Sequence, residues 1–469
     1  GSPYYPITHN KKFVKVVIIR NSNINYYLMN KNLLEKILKK LKQKGCDQAD
    51  VVFAEDLTMS SSSRLGKIEK TEFSEIKEIG IRAIINKKQS IVSSSNIEEN
   101  NINDLVEKVV EMAKVVPEDE YCGLAEKIET EKLLKLNNNS LNLHDSYKPS
   151  IKEINEKVQE LENSALDNKN IINSEGAELS FSQTKYKIMA SNGFETEINK
   201  THSDYIIAVL AGNSNSMERA YDYKSKVFFN DLGSFKNVGK KVSLDAIKKL
   251  NSKKIKTCKS DVIFDSKISS SLLSNLFNAC NASSIIKGTS FLKKKKGKKI
   301  FRDEINIIDD PHMKKRLRSK YFDAEGILTK KKKLVENGTL NFFFNCLSTA
   351  RQLKDIPSGH ASRSVSSIPN ASYTNLYLAK GKYKKSDMVK SMKKGLIVTE
   401  LMGSSINYSN GDYSRGASGF WVENGEVLFP VSEITVAGNL NKIFSRLIPA
   451  DDLQVNFGIN APSVLVENM

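Results

Sequence analysis

Residues Ile171–Gly212 read IINSEGAELSFSQTKYKIMASNGFETEINKTHSDYIIAVLAG. The run is one strand after another. Asn192-Gly193 is a pair that tolerates the positive φ of a two-residue hairpin turn. Tyr205–Ala211 is apolar enough to be a central strand. Working outward, the block is flanked by helical patterns. Ile151, Ile154, Val158 and Leu161 share one helical face before it, and Val242–Leu250 reads as a helix after it. Toward the N-terminus, Leu33, Leu34, Ile37, Leu38 and Leu41 mark another helix, with Gly45 as its stop. Then come a strand, Ala49–Ala54, and a Ser-rich loop, Ser60–Ser63. Ile79–Ile85 and Gln89–Ser93 follow as strands around the turn Asn86-Lys87-Lys88. Leu105, Val109 and Met112 form a helix ended by Pro117.

The polar, Lys-rich stretch Asn251–Lys259 marks the main boundary. Val262–Phe264 is then a short strand and Ile268–Ala282 a helix. Beyond Lys299 the chain reads as short strands broken by Gly, Asn and Ser. No fixed-period repeat is present. The expected fold is α+β: an N-terminal mixed-sheet domain with helices over 29–255 (sub-segments 29–118 and 119–255), then a β-rich domain over 256–469 with a partly closed, barrel-like antiparallel sheet. The chain opens Gly1-Ser2 without Met, and residues 1–28 are read as an extension or added leader, with the working protein starting near Met29. Its apolar run, Val16–Ile19, is too short for a signal-peptide core.

The 469 residues fit two or three domains, and 39% hydrophobic with 27% charged residues allow real cores. No stretch reaches the roughly 18 apolar residues of a membrane span. Integral membrane, collagen-like and disulfide-scaffold classes are excluded. The net charge of +18 raises nucleic-acid binding. Lys rather than Arg carries most of it, however, which argues against base reading or bidentate phosphate contacts. The runs Lys293–Lys296 and Lys330–Lys333 are read as solvated hairpin tips. The five cysteines, Cys46, Cys122, Cys258, Cys280 and Cys346, contain no C-x-x-C. Their odd number points to unpaired thiols in a reducing compartment, hence the cytoplasm.

Chemistry is sparse. His9, His144, His202, His312 and His360 form no H-E-x-x-H. No P-loop, G-x-G-x-x-G or G-x-S-x-G occurs, and Ser391-x-x-Lys394 lacks the companion S-D-N and K-T-G. The most unusual segment is Asn410–Gly419, NGDYSRGASG, with three glycines in ten residues. It reads either as a tight turn cluster or as a loop presenting backbone amides and Arg415 to a peptide or partner chain.

That segment extends through Phe420-Trp421-Val422-Glu423-Asn424-Gly425-Glu426 to Pro430–Leu440, and the whole block resembles the hallmark of the TldD/PmbA family, PmbA (TldE) branch. Asp310-Pro311-His312, Phe322-Asp323-Ala324-Glu325-Gly326, Glu336-Asn337-Gly338, Gly359-His360-Ala361 with Arg363, and Phe457–Ser463 resemble that branch in order. Gly80-Ile81-Arg82 leading to Ser93-Ser94-Ser95 resembles its first-domain signature. The likeness runs from about Met29 to Met469.

The resemblance implies one subunit of a zinc metallopeptidase acting on unfolded or small peptides, built as a heterodimer with a TldD-type chain. That partner carries H-E-x-x-x-H on a helix and a Cys ligand near its C-terminus. Here the corresponding helix, Ile268–Ala282, has neither His nor Glu, and the last cysteine is Cys346. The expectation is therefore no catalytic residue, metal or cofactor in this chain, with zinc in the partner. Cys280 is read as a buried thiol rather than a lone ligand. Gly411, Asp412, Tyr413, Ser414, Arg415, Gly416 and Gly419 are the expected peptide- or partner-binding residues. No membrane and no specific nucleic acid are expected as partners, and a homodimer is allowed for the chain alone. The family's older label as a gyrase modulator supplies the alternative, a non-enzymatic regulator. A third reading is an independent hydrolase with a site gathered from distant residues.

Overall fold

The computed structural model describes residues 15–20, 31–136 and 138–469. Its first half runs β1 (Lys15–Arg20), α1 (Lys31–Gln43), β2 (Gln48–Arg64), β3 (Lys67–Ile85), β4 (Lys88–Ser94), α2 (Glu99–Val115), α3 (Thr130–Lys135), α4 (Ile151–Leu166), β5 (Ile171–Ala190), β6 (Glu195–Asn213), β7 (Ser216–Lys226) and α5 (Phe235–Lys248). The second half continues β8 (Asp261–Phe264), α6 (Ser270–Ala279), α7 (Ala282–Ile286), β9 (Ile307–Asp309), β10 (Lys332–Glu336), β11 (Thr339–Leu340), α8 (Leu347–Leu353), β12 (Ala361–Ser362), β13 (Asn370–Ala371), β14 (Leu376–Leu378), α9 (Lys385–Ser391), β15 (Lys394–Asn407), β16 (Asp412–Glu423), β17 (Glu426–Asn439), α10 (Leu440–Arg446), β18 (Leu447–Pro449), β19 (Ile459–Asn460) and β20 (Val464–Val466). The molecule is α+β, 24% helix and 39% strand, with an antiparallel sheet curled into a half-barrel. Apart from β1, the expected extension 1–28 lies outside the described residues.

The N-terminal sheet has the order β1-β3-β2-β5-β6-β7, with β4 also on β3. All its pairings are antiparallel except β1 with β3. Successive side chains of a strand point to opposite faces. Val51 and Phe53 of β2 therefore meet α1 and α2, while Met59 and Leu57 meet α4 and α5. Val52 and Ala54 point the other way, onto Phe322 and Val365 of the C-terminal half. Both faces of Ala49–Ala54 are covered, which is why that run is continuously buried.

Several local expectations change. Ser60–Ser63 is no loop; it lies inside β2, where Ser61 and Ser63 point inward and Ser63 donates to buried Glu162 at 2.9 Å. Asn192-Gly193 does not close a two-residue turn. Phe194 is drawn into the core against Phe322, and the link becomes Ser191–Phe194, closed by Ala190 N–H to Phe194 C=O at 2.8 Å. Two-residue turns with both φ positive occur instead at Asn86-Lys87, Asn337-Gly338 and Asn424-Gly425. Lys293–Lys296 does lie in a turn, but Lys332 and Lys333 belong to β10, with the Lys332 ammonium 5.2 Å from the Phe342 ring centre.

The C-terminal half packs a six-stranded sheet, β17-β16-β15-β8-β20-β18, against a five-stranded one, β11-β10-β9-β14-β19. Its core includes Leu272, Leu276, Phe344, Trp421 and Phe444. Three of its strands reach 12–14 residues, longer than the broken pattern beyond Lys299 suggested. The helix expected over Ile268–Ala282 is shorter. It ends at Ala279, and Asn281 caps a second short helix by accepting Ser283 N–H at 3.1 Å.

Candidate functional site

Helix α6 is amphipathic. Leu272, Leu273, Leu276 and Ala279 face the core, and Phe277 packs on Phe344 and Tyr373 at its margin, while Ser270, Ser271 and Ser274 are half-buried and Asn278 is exposed. Asn278 Nδ2 donates to the Tyr408 hydroxyl at 3.0 Å, and that hydroxyl reaches Asn275 Oδ1 at 3.3 Å. Tyr408 belongs to the turn between β15 and β16, so α6 and the glycine-rich block are brought side by side. A zinc site needs imidazole, thiolate or carboxylate donors. This helix offers hydroxyls and amides. Cys280, at its end, is fully buried, and burial pushes its thiol up, which disfavours the thiolate that a metal ligand requires. Among the described residues, no three His, Cys, Asp or Glu side chains gather as a metal-holding group. The residues of this helix do not fit zinc.

The glycine-rich segment is not a loop. Tyr408–Gly411 make the turn, and Asp412–Gly419 are the first part of β16, laddered to β15 on one side and β17 on the other. Their backbone amides are committed to the sheet and cannot grip an added chain. Gly419 is a close-approach position, since a Cβ there would lie 1.7 Å from Ile397 C=O. Gly411, Tyr413 and Gly419 are buried. The Tyr413 phenol is pushed up to about 12 by burial, with Arg415 opposing. Asp412, Ser414, Arg415 and Gly416 keep an accessible side, and Arg415 Nε donates to Gly403 C=O at 2.7 Å.

A cleft of about 590 Å³ separates β7 and α5 from the C-terminal half, and it reaches Ser270 at the start of α6. Strand β7 is the sheet edge, and two of its carbonyls are occupied by lysines. Lys249 Nζ donates to Arg219 C=O at 2.9 Å, and Lys267 Nζ donates to Tyr221 C=O with its ammonium 3.9 Å from the Tyr221 ring centre. Lysines are a common way to blunt an edge strand. Buried Glu400 of β15 accepts from Arg219 at 2.9 Å and Lys249 at 3.2 Å, tying the halves across the cleft.

The sequence motifs converge elsewhere, on a buried ionic lattice. Asp50 of β2 receives Arg82 Nη2 at 2.6 Å and Arg363 Nη1 at 2.7 Å, and all three side chains are at most 4% exposed. Burial alone would raise the Asp50 carboxyl, but the two guanidiniums hold it below the usual range. Asp323 accepts backbone N–H groups from Glu325, Ile327 and Ala361. Glu325 accepts Leu347 N–H at 2.8 Å. Burial, then the neighbouring Asp323, pushes Glu325 up to about 7.

A Ser–His–Asp array is also present. Ser358 Oγ lies 2.8 Å from His360 Nδ1, and His360 Nε2 lies 2.9 Å from Asp309 Oδ1. It is no hydrolase site. All three are buried, Ser358 Oγ accepts Asn345 N–H at 3.0 Å, and Asp309 also accepts from Thr374. A nucleophile needs an open approach and a free lone pair. Sequence reading missed Asp50, although a lone carboxylate inside the apolar run Ala49–Ala54 signals a paired charge. It also missed Lys249 and Glu400, which carry no local signal.

Family models described as PmbA/TldA metallopeptidase domain 1, central domain and C-terminal domain match residues 49–113, 144–250 and 257–469. The chain is 31% identical over 432 residues to a Haemophilus influenzae protein named metalloprotease PmbA homolog, covering 92% of this chain and 93% of that one. It is 31% identical over 426 residues to metalloprotease PmbA of Escherichia coli O157:H7, covering 90% and 92%. A crystal structure from Bacteroides thetaiotaomicron, described as a candidate modulator of DNA gyrase, superposes with a TM-score of 0.84 at 26% identity, covering 94% and 98%.

Proposed function

Because this chain belongs to the PmbA/TldD metallopeptidase family, in its PmbA (TldE-type) branch, we propose that it serves as the subunit of a peptidase whose metal and general base are supplied by a TldD-type partner. The observation that carries this reading is α6. It stands against the glycine-rich block and offers Ser270, Ser274 and Asn278 on its accessible side rather than metal ligands. The work left to this chain is to complete a chamber and steady an unfolded peptide. The surface we assign to peptide or partner is the accessible side of Asp412, Ser414, Arg415 and Gly416 with Asn278 and Tyr408. Its location would be the cytoplasm, in keeping with five free cysteines.

The test is to purify the chain alone and mixed with a TldD-type chain, and to follow cleavage of an unstructured peptide. The expected result is no cleavage alone, cleavage in the mixture, and a loss of at least fivefold with Arg415→Ala. Chelator-sensitive cleavage by the chain alone, or a mixture that neither associates nor changes the partner's rate, would sink the reading. Arg415→Ala with unchanged association and cleavage would remove that residue from the surface. The +18 charge favours one second reading, a non-enzymatic regulator. It predicts salt-dependent retention on DNA and no effect on a partner's peptidase activity.

A further inference from the structure

Between the two halves lies a cavity of about 330 Å³. Its floor is the face of β2, β5 and β6 carrying Ala54, Tyr186 and Ile198, and its roof is formed by residues 320–324 and 361–365. A second cavity of about 360 Å³ adjoins it, sharing Thr184 and Lys200. Lys200 rises from β6 into this space, open to solvent yet ringed by protein. Among the described residues its ammonium makes no ion pair or hydrogen bond. Lys320 Nζ has only the Ala361 carbonyl, at 3.3 Å. The Arg363 side chain is wholly buried; one nitrogen pairs with Asp50, and its Nε and Nη2 make no hydrogen bond. Thr196 Oγ1 on the same wall also lacks a partner.

The acids of the lining are mostly engaged. Asp56 Oδ1 takes the Thr184 hydroxyl at 2.7 Å, Asp323 takes three backbone N–H groups, and Glu78 is the remaining carboxylate. The lining therefore holds several strong donors without acceptors. Buried donors of this kind are costly unless something accepts from them. Burial and the nearby Arg318 disfavour the charged form of Lys200, with Asp56 opposing. Lys320 faces Asp323 and Asp309 but also Arg318 and Lys200, and desolvation brings it down to about 8.

We propose that this cavity binds an oxyanion, a carboxylate or phosphate group, between Lys200, Lys320 and Arg363. The proposal stands apart from the peptidase reading. A peptide α-carboxylate and free phosphate share the chemistry, and experiment separates them. The full chain is titrated calorimetrically at low salt and pH 8.5 with inorganic phosphate, with an acetylated tripeptide acid, and with the same tripeptide as its amide. Phosphate or the acid should bind saturably and the amide should not; the acid alone assigns the site to a peptide terminus, phosphate alone to the free ion. Lys200→Met, whose side chain is open to solvent, should melt as the parent does and bind at least tenfold more weakly. Binding at pH 8.5 should take up a fraction of a proton, read from the dependence of heat on buffer, and Lys320→Met should reduce that uptake. Absence of saturable heat with both anions, or parent-like binding by Lys200→Met, overturns the proposal.

Discussion

Glu325 shows what a single buried carboxyl does to the pH response of a fold. Its folded pKa, about 7, lies above its ordinary value of 4.5, because burial and Asp323 disfavour its charge. The folded state therefore holds this proton more tightly than the unfolded chain does. The associated stability is full below pH 4.5 and is lost as pH climbs through about 7. Glu325→Gln keeps an acceptor for Leu347 N–H without a charge to bury. It should raise stability by about 2 kcal/mol at pH 8 and leave it unchanged near pH 4.5. Urea unfolding at the two pH values checks this, and an equal effect at both would refute the assignment. The Asp50–Arg82–Arg363 cluster behaves in the opposite sense. Its carboxylate is held ionised by two guanidiniums, and it acts as a fixed anchor. Of these residues, Arg82, Glu325 and Arg363 were visible as motif members. Their mutual contacts were not, because charges brought together from positions 50, 82 and 363 leave no periodic trace in the chain.

At the scale of elements, the glycines of β16 record how closely strands approach. Gly419→Ala would drive a methyl into Ile397 C=O. It should cost about 1–3 kcal/mol by overpacking. Gly416→Ala, with its nearest atom at 3.2 Å, should cost clearly less, and thermal unfolding of both variants tests the order. The helices were legible because α1, α2, α4 and α5 each keep one apolar stripe. Strand lengths were harder to read. The Ser-rich end of β2 looks like a loop, yet inward Ser63 is satisfied by Glu162. The NGDYSRGASG block reads as a tight turn cluster or a presenting loop, but only its first two residues lie in a turn and the rest is strand. Its glycines serve strand packing at Gly419 and a positive-φ turn at Gly411. Composition alone cannot tell those uses apart from a flexible loop.

At the scale of the molecule, the two halves meet over a continuous surface. A Cβ at Gly80 would lie 1.9 Å from Val365 C=O, Arg351 donates to the carbonyls of Tyr121, Gly123 and Leu124, and Glu400 bridges to Arg219 and Lys249. Gly80→Ala should lift residues 361–365 from β3. Amide exchange there should speed at least tenfold, while α1 and α2, on the far side of the sheet, keep their protection. Unchanged exchange at 361–365 would mean that the contact yields without loosening the interface. The double burial of β2 carries a consequence for heredity. Val52 and Ala54 share their apolar cluster with Phe322 and Val365 of the other half, so a crossover between two diverged relatives near residue 255 would join surfaces that had never been selected together. The short polar connector looks like a convenient place to recombine, but selection should act on the two halves as one inherited block, with substitutions at the Gly80–Val365 contact tolerated only in matched pairs.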